Sequence, residues 1–104
     1  MKVKIKNCTY KIIEVDSFKD APANIEFACG HTDYVNQVIR INKKLGYEQK
    51  RQTLIHELTH SFFWVYGFGQ ITEQIPIEIM CDFIGCYADD IVKIANKYFK
   101  EREE

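Results

Sequence analysis

The sequence predicts an α+β domain in which a small, mainly antiparallel sheet packs against two helices. Three patterns carry this expectation. Near the start, charged and apolar residues alternate with the two-residue period of a strand. Further on, Leu54, Ile55, Leu58, Phe62 and Val65 recur at helical spacing. A second helical series, Met80, Ile84, Tyr87, Ile91, Ile94 and Tyr98, then runs almost to the charged end at 100–104.

In chain order, residues 2–6 read as a strand with lysines on the solvated face, and Asn7 suits a turn. Tyr10, Ile12, Ile13 and Val15 mark a second strand. Residues 16–23 are polar, include Pro22 and read as a loop or a short helical turn. Ile25, Phe27 and Cys29 share one face of an extended segment, residues 30–33 read as a turn, and 38–41 form a further strand. Those last two strands would make a hairpin with a long connection. The first helix begins near Glu48, and Gly67 stands where a terminator belongs. Pro76 suits the opening of the second helix, because its missing N–H is not needed there. Gly85, inside that helix, points to close approach by a neighbouring backbone.

The 104 residues make one domain, 1–104, without repeat or linker. Apolar residues make up 46% of the chain, ample for a globular core. Fourteen Lys and Arg against 15 Asp and Glu give a net charge of -1, which argues against nucleic acid as the main partner. The start lacks the continuous apolar region of a signal peptide, and no apolar run is long enough to span a membrane. The expected location is therefore the cytoplasm, where Cys8, Cys29, Cys81 and Cys86 would remain thiols. None of them forms a CxxC pair, which disfavours a cysteine zinc knuckle.

The chemistry concentrates in His56-Glu57-Leu58-Thr59-His60. Residues four apart share a helix face, so His56 and His60 can direct imidazole nitrogens at one zinc ion. Glu57 lies about 100° round the helix. It is badly placed as a ligand but well placed as the general base toward a metal-bound water. Leu54, Ile55, Leu58 and Phe62 give this helix an apolar face to bury.

Catalytic zinc sites usually have three protein ligands and a water. Glu78, after a glycine-marked reversal of the chain, is the best third ligand, with Glu73 and Asp82 as alternatives. Asp82 shares a helix face with Glu78 and could hydrogen-bond the outer nitrogen of a ligating histidine. His31 fits a loop or substrate-side role better than a ligand role, since choosing it leaves Glu78 unexplained. A residue to stabilise the oxyanion is not singled out: Tyr34, Tyr66, Tyr87 and His31 all remain open.

His-Glu-x-x-His followed by Glu78-x-x-x-Asp82 resembles the gluzincin pattern. The stretch 30–87 is more specifically similar to ImmA/IrrE-type metallopeptidases of phages and mobile elements. It carries Gly-x-Thr-Asp, the strand at 38–41, the motif helix and the segment that begins at Glu78 and ends about Ala88, at the margin of that stretch. The resemblance implies a minimal zincin fold, one zinc ion on His56, His60 and Glu78, and Glu57 as catalytic base. It also implies that the strand before the helix is a sheet edge, along which a peptide lies extended. Thr59 stands where the family commonly has Gly, and a Leu-Leu-Met-Pro-like stretch after the third ligand is missing.

The resulting expectation is zinc-dependent hydrolysis of a peptide bond, with a regulatory protein such as a phage or mobile-element repressor as substrate. The alternative, from another class, is a non-catalytic binding module that keeps the fold with structural zinc or none.

Overall fold

The computed structural model describes residues 1–18, 29–68 and 75–102. Strands β1 (Lys2–Ile5), β2 (Cys8–Val15), β3 (Gly30–Asp33) and β4 (Val38–Asn42) precede helices α1 (Tyr47–Phe63) and α2 (Ile77–Arg102). The coarse class is α+β, as the sequence predicts.

The four strands form one sheet in the order β1-β2-β4-β3. β1 pairs with β2 and β3 with β4 antiparallel, whereas β2 and β4 run parallel. The sheet is therefore mixed. β1 and β2 join through a two-residue turn, Lys6-Asn7, with Lys6 in the left-handed region at φ 57°.

Two sequence expectations fail at β3. Residues 30–33 form a strand, and the turn lies one step later, at 34–37. The Asp33 carboxylate explains the shift. Its Oδ1 accepts the backbone N–H groups of Val35 and Asn36 at 3.1 and 3.0 Å, and its Oδ2 accepts the Asn36 side-chain amide at 2.9 Å. An aspartate taking up its own turn's amides ends a strand there. Among the described residues, the strand immediately before the motif helix, β4, is central, and the sheet edge beside α1 is β3. The extended positions read at Ile25 and Phe27 lie outside the described residues, as does most of the loop read at 16–23.

Alternation sorts the sheet into two faces. Val3, Ile5, Tyr10, Ile12, Ile39 and Ile41 are buried beneath the helices, while Lys2, Lys4 and Lys11 face solvent. Leu54, Leu58 and Phe62 of α1 close the core from above with Phe83, Ile91, Ala95, Tyr98 and Phe99 of α2. The helices run antiparallel. Tyr47 meets Phe99, Arg51 bonds Asn96 at 2.8 Å, and Phe63 meets Phe83. Glu14 of β2 joins both helices to the sheet, pairing with Lys50 at 2.8 Å and accepting the Tyr98 hydroxyl at 2.8 Å.

After α1 the chain widens into a π-type turn, Trp64–Phe68, within which Gly67 takes φ 95°. A side chain would be strained there, and this is the helix terminator the sequence predicts. In α2 the buried stripe is rotated from the expected one: Phe83 is buried, whereas Ile84 is 55% exposed. Gly85 is exposed, and among the described residues nothing lies within 4 Å of where its side chain would begin. Its expected close backbone contact is therefore not seen. Among the described residues, no helix is long and apolar enough to cross a membrane.

Candidate metal centre

The buried face of α1 is fixed by Leu54, Leu58 and Phe62, which turns His56 and His60 outward. One turn apart, their rings converge: the Nε2 atoms lie 3.1 Å apart, with the ring planes at 72°. Two nitrogens each bound 2.0–2.1 Å from one tetrahedral ion are separated by about 3.3–3.4 Å. The spacing is thus close to that of two ligands on such an ion, and also to that of a hydrogen bond between the rings, which a metal would replace.

Glu57 turns the other way. It is only 7% exposed and points toward the edge strand, where its Oε1 accepts the Thr32 hydroxyl at 2.9 Å. Its Oε2 lies 3.9 Å from His56 Nε2. One carboxylate oxygen is therefore tied to the sheet while the other sits beside His56. Thr32 Oγ1 also lies 3.2 Å from the Glu57 carbonyl oxygen.

Gly30 makes this approach possible. A β-carbon at residue 30 would stand 2.5 Å from Thr53 Cγ2 and 3.1 Å from both Glu57 Cγ and the Arg40 carbonyl oxygen. Any larger residue would wedge β3 away from α1. Thr59, where the resembled family commonly has Gly, donates its hydroxyl to the Ile55 carbonyl at 2.7 Å. It is satisfied within the helix and leaves the imidazoles free.

His56 borders two clefts. A cleft of about 440 Å³ runs past Gly30, Gln52, Thr53 and Glu57 along the edge strand. A more apolar one of about 320 Å³ lies between His56, His60 and Phe63 on one side and Ile75, Met80 and Phe83 on the other.

The carboxylates of α2 are not assembled with the histidines. Glu78 and Asp82 are both exposed. At 100° per residue, Glu78 sits about 160° round α2 from Met80 and about 140° from Phe83, the residues that face His60. Among the described residues, no three His, Cys, Asp or Glu side chains group closely enough to hold a metal ion. Glu73 lies outside the described residues. His31, alternating with Gly30 and Thr32, lies on the opposite face of the sheet from Glu57 and pairs in register with Arg40. Cys8, Cys29, Cys81 and Cys86 are all free thiols.

Of the four groups left open for an oxyanion, Tyr34 interacts with the Glu57 charge. Burial raises the pKa of its hydroxyl, and the charge of Glu57 raises it further. Its ring stacks on Trp64 at 4.6 Å and 22°. Tyr66 and Tyr87 instead pack on each other, tilted by 32° at 4.3 Å, in the aromatic cluster around Phe62. Sequence reasoning missed two contributors, Thr32 and Trp64. Thr32 sits two residues beyond Gly30 on the same face of a strand, and Trp64 lies one helical turn after His60; those spacings were the available signals.

Compared with protein-family models, with curated proteins and with solved structures, the chain matches none.

Proposed function

We propose that this chain is a minimal zinc metallopeptidase of the gluzincin kind, similar to the ImmA/IrrE type, acting in the cytoplasm on a peptide bond of a regulatory protein. The observation that carries this reading is the convergence of His56 Nε2 and His60 Nε2 to 3.1 Å beside a buried Glu57 carboxylate. The 3.1 Å spacing is also that of an Nε2–H···Nε2 hydrogen bond between the two rings, so what favours the metal reading is the buried Glu57 carboxylate beside His56 together with that spacing.

His56 and His60 would hold the zinc ion with Glu78 as the third ligand. When bound, the ion supplies Lewis acidity, lowering the pKa of a coordinated water and polarising the scissile carbonyl. The remaining work falls to the chain's own residues. Glu57 Oε2 accepts the proton of the attacking water and delivers it to the departing amine. The edge strand β3 offers main-chain groups to an extended substrate, and the cleft past Gly30 and Gln52 receives its side chains. Leu58 and the core behind it keep the helix from moving as charge develops.

Glu78 now faces outward, so its ligation requires the first turn of α2 to rotate toward the histidines. Glu78→Gln should weaken zinc binding at least tenfold, whereas Glu73→Gln should not; the reverse result would transfer the ligand role to Glu73. The activity itself is tested by incubating the zinc-loaded protein with regulators encoded beside its gene. Glu57→Gln should keep the metal and lose cleavage, and His56→Ala should lose both. Cleavage by Glu57→Gln at the wild-type rate would defeat the mechanism.

The exposed position of Glu78 favours a second reading, a non-catalytic zincin-like module that binds a regulatory protein with structural zinc or none. It predicts a stable complex without proteolysis even when zinc is present.

A further inference from the structure

We propose that Thr32 is a positioning residue for Glu57, holding its carboxylate so that Oε1 is occupied and Oε2 alone is presented toward His56. This rests on the reading of Glu57 as the proton carrier.

The argument begins with the side chain's freedom. A glutamate has three rotatable bonds and loses much rotamer entropy when fixed. On α1, Glu57 lies about 100° round from His56, so its carboxylate reaches the metal edge in only some rotamers. The Thr32 hydroxyl removes that freedom. It is buried at 8% exposure and lies 2.9 Å from Oε1, while Oε2 is left 3.9 Å from His56 Nε2. The hydroxyl has one proton to give. The Glu57 carbonyl at 3.2 Å is the longer partner and already accepts Ser61 Oγ at 3.0 Å, so the carboxylate is the better acceptor.

The donor is itself held. Thr32 sits in the β3–β4 ladder opposite Ile39, and Gly30 lets the strand approach until a β-carbon would touch Glu57 Cγ. Asp33, next in sequence, anchors the end of the strand through the turn amides and an ion pair with Arg40 at 3.5 Å. The segment Gly30-His31-Thr32-Asp33 thereby acts on the motif helix from outside the motif. Gly30 sets the spacing, Thr32 supplies the donor and Asp33 fixes the end. An unsatisfied buried carboxylate oxygen would instead draw in water or swing the side chain away.

The test compares wild type with Thr32→Ser, which keeps the hydroxyl, and Thr32→Val, which keeps the shape without it. In the metal-free proteins, NMR side-chain couplings of Glu57 should report one rotamer in wild type and Thr32→Ser and averaging in Thr32→Val. In the zinc-loaded proteins, kcat of Thr32→Val should fall roughly tenfold to a hundredfold, the scale of losing alignment at a reacting group. KM and zinc affinity should stay within about twofold, and Thr32→Ser should recover most of the rate.

A single Glu57 rotamer in Thr32→Val, or a rate loss shared equally by Thr32→Ser, overturns the proposal. If Thr32→Val does not fold, the wild-type hydroxyl decides the matter. A slowly exchanging Thr32 hydroxyl proton with a cross-peak to Glu57 supports the clamp, and a freely exchanging one overturns it. Should wild type bind zinc, hold Glu57 in one rotamer and cleave nothing, the peptidase reading fails while the rotamer data still support the clamp.

Discussion

Gly30→Ala tests how closely the edge strand must approach the motif helix. The new methyl would stand 2.5 Å from Thr53 Cγ2 and 3.1 Å from the Arg40 carbonyl oxygen and Glu57 Cγ. Carbon atoms in comfortable contact are about 3.5–4.0 Å apart. Thr53 therefore has to yield by about an ångström, and turning it would place another branch of the same β-carbon in the gap. The Arg40 oxygen belongs to the backbone of β4 and cannot swing aside. Overpacking of this kind costs about 1–3 kcal/mol. In a domain of roughly this size that lowers Tm by about 4–8 °C per kcal/mol.

Thermal and urea unfolding of Gly30→Ala, Thr53→Ala and the double variant would measure the effect. Because the shortest contact is with Thr53 Cγ2, the double variant should be more stable than the sum of the single changes by about 0.5–2 kcal/mol. The remaining deficit belongs to the Arg40 oxygen. A Gly30→Ala protein within about 0.5 kcal/mol of wild type would show that β3 does not press on α1, and the reasoning about Glu57 would lose its support.

Two further outcomes concern the frame around the site. Tyr98→Phe removes the hydroxyl donated to Glu14 and should destabilise the fold by about 1–3 kcal/mol in urea unfolding, since the acceptor is a carboxylate shared with Lys50. Asp33 should contribute to the pH dependence of stability in acid. The Asn36 backbone N–H, with help from the Asn36 side chain and Arg40, holds its pKa below the usual 3.8 despite burial. A depressed folded-state pKa gives stability that is complete above 3.8 and is lost as pH falls from there through the lowered value. Unfolding scans of wild type between pH 5 and about 2 should show that loss. In Asp33→Asn the component should be absent, the protein being weaker throughout.

Much of this was legible in the sequence because periodicity reports directly on burial. The alternation of Lys2, Val3, Lys4 and Ile5 gave a strand with the correct faces, and Leu54, Leu58 and Phe62 gave the inner side of α1. With that side fixed, the outward convergence of His56 and His60 followed from a four-residue spacing. Pairing order was not legible. Nothing local tells β2 to pair parallel with β4, and that pairing is what leaves β3 at the edge. The turn at 34–37 was misplaced by the same kind of limit: Gly30 and Asp33 are turn formers, but Gly30 is used for a close approach and Asp33 acts from the strand's end. On α2, Met80, Ile84 and Phe83 all fit an apolar stripe within one residue's rotation. The core's choice of Phe83 over Ile84 decides where Glu78 points, and packing rather than spacing makes that choice.

The most direct test of the central claim is calorimetric zinc titration of the metal-free protein, with His60→Ala and Glu57→Gln measured alongside. Wild type and Glu57→Gln should each bind one zinc ion with equal affinity. His60→Ala should bind at least about a hundredfold more weakly, since changes to outer partners alone cost roughly 10–100-fold. No zinc binding by wild type, or undiminished binding by His60→Ala, would contradict the reading of the converging imidazoles as a metal centre.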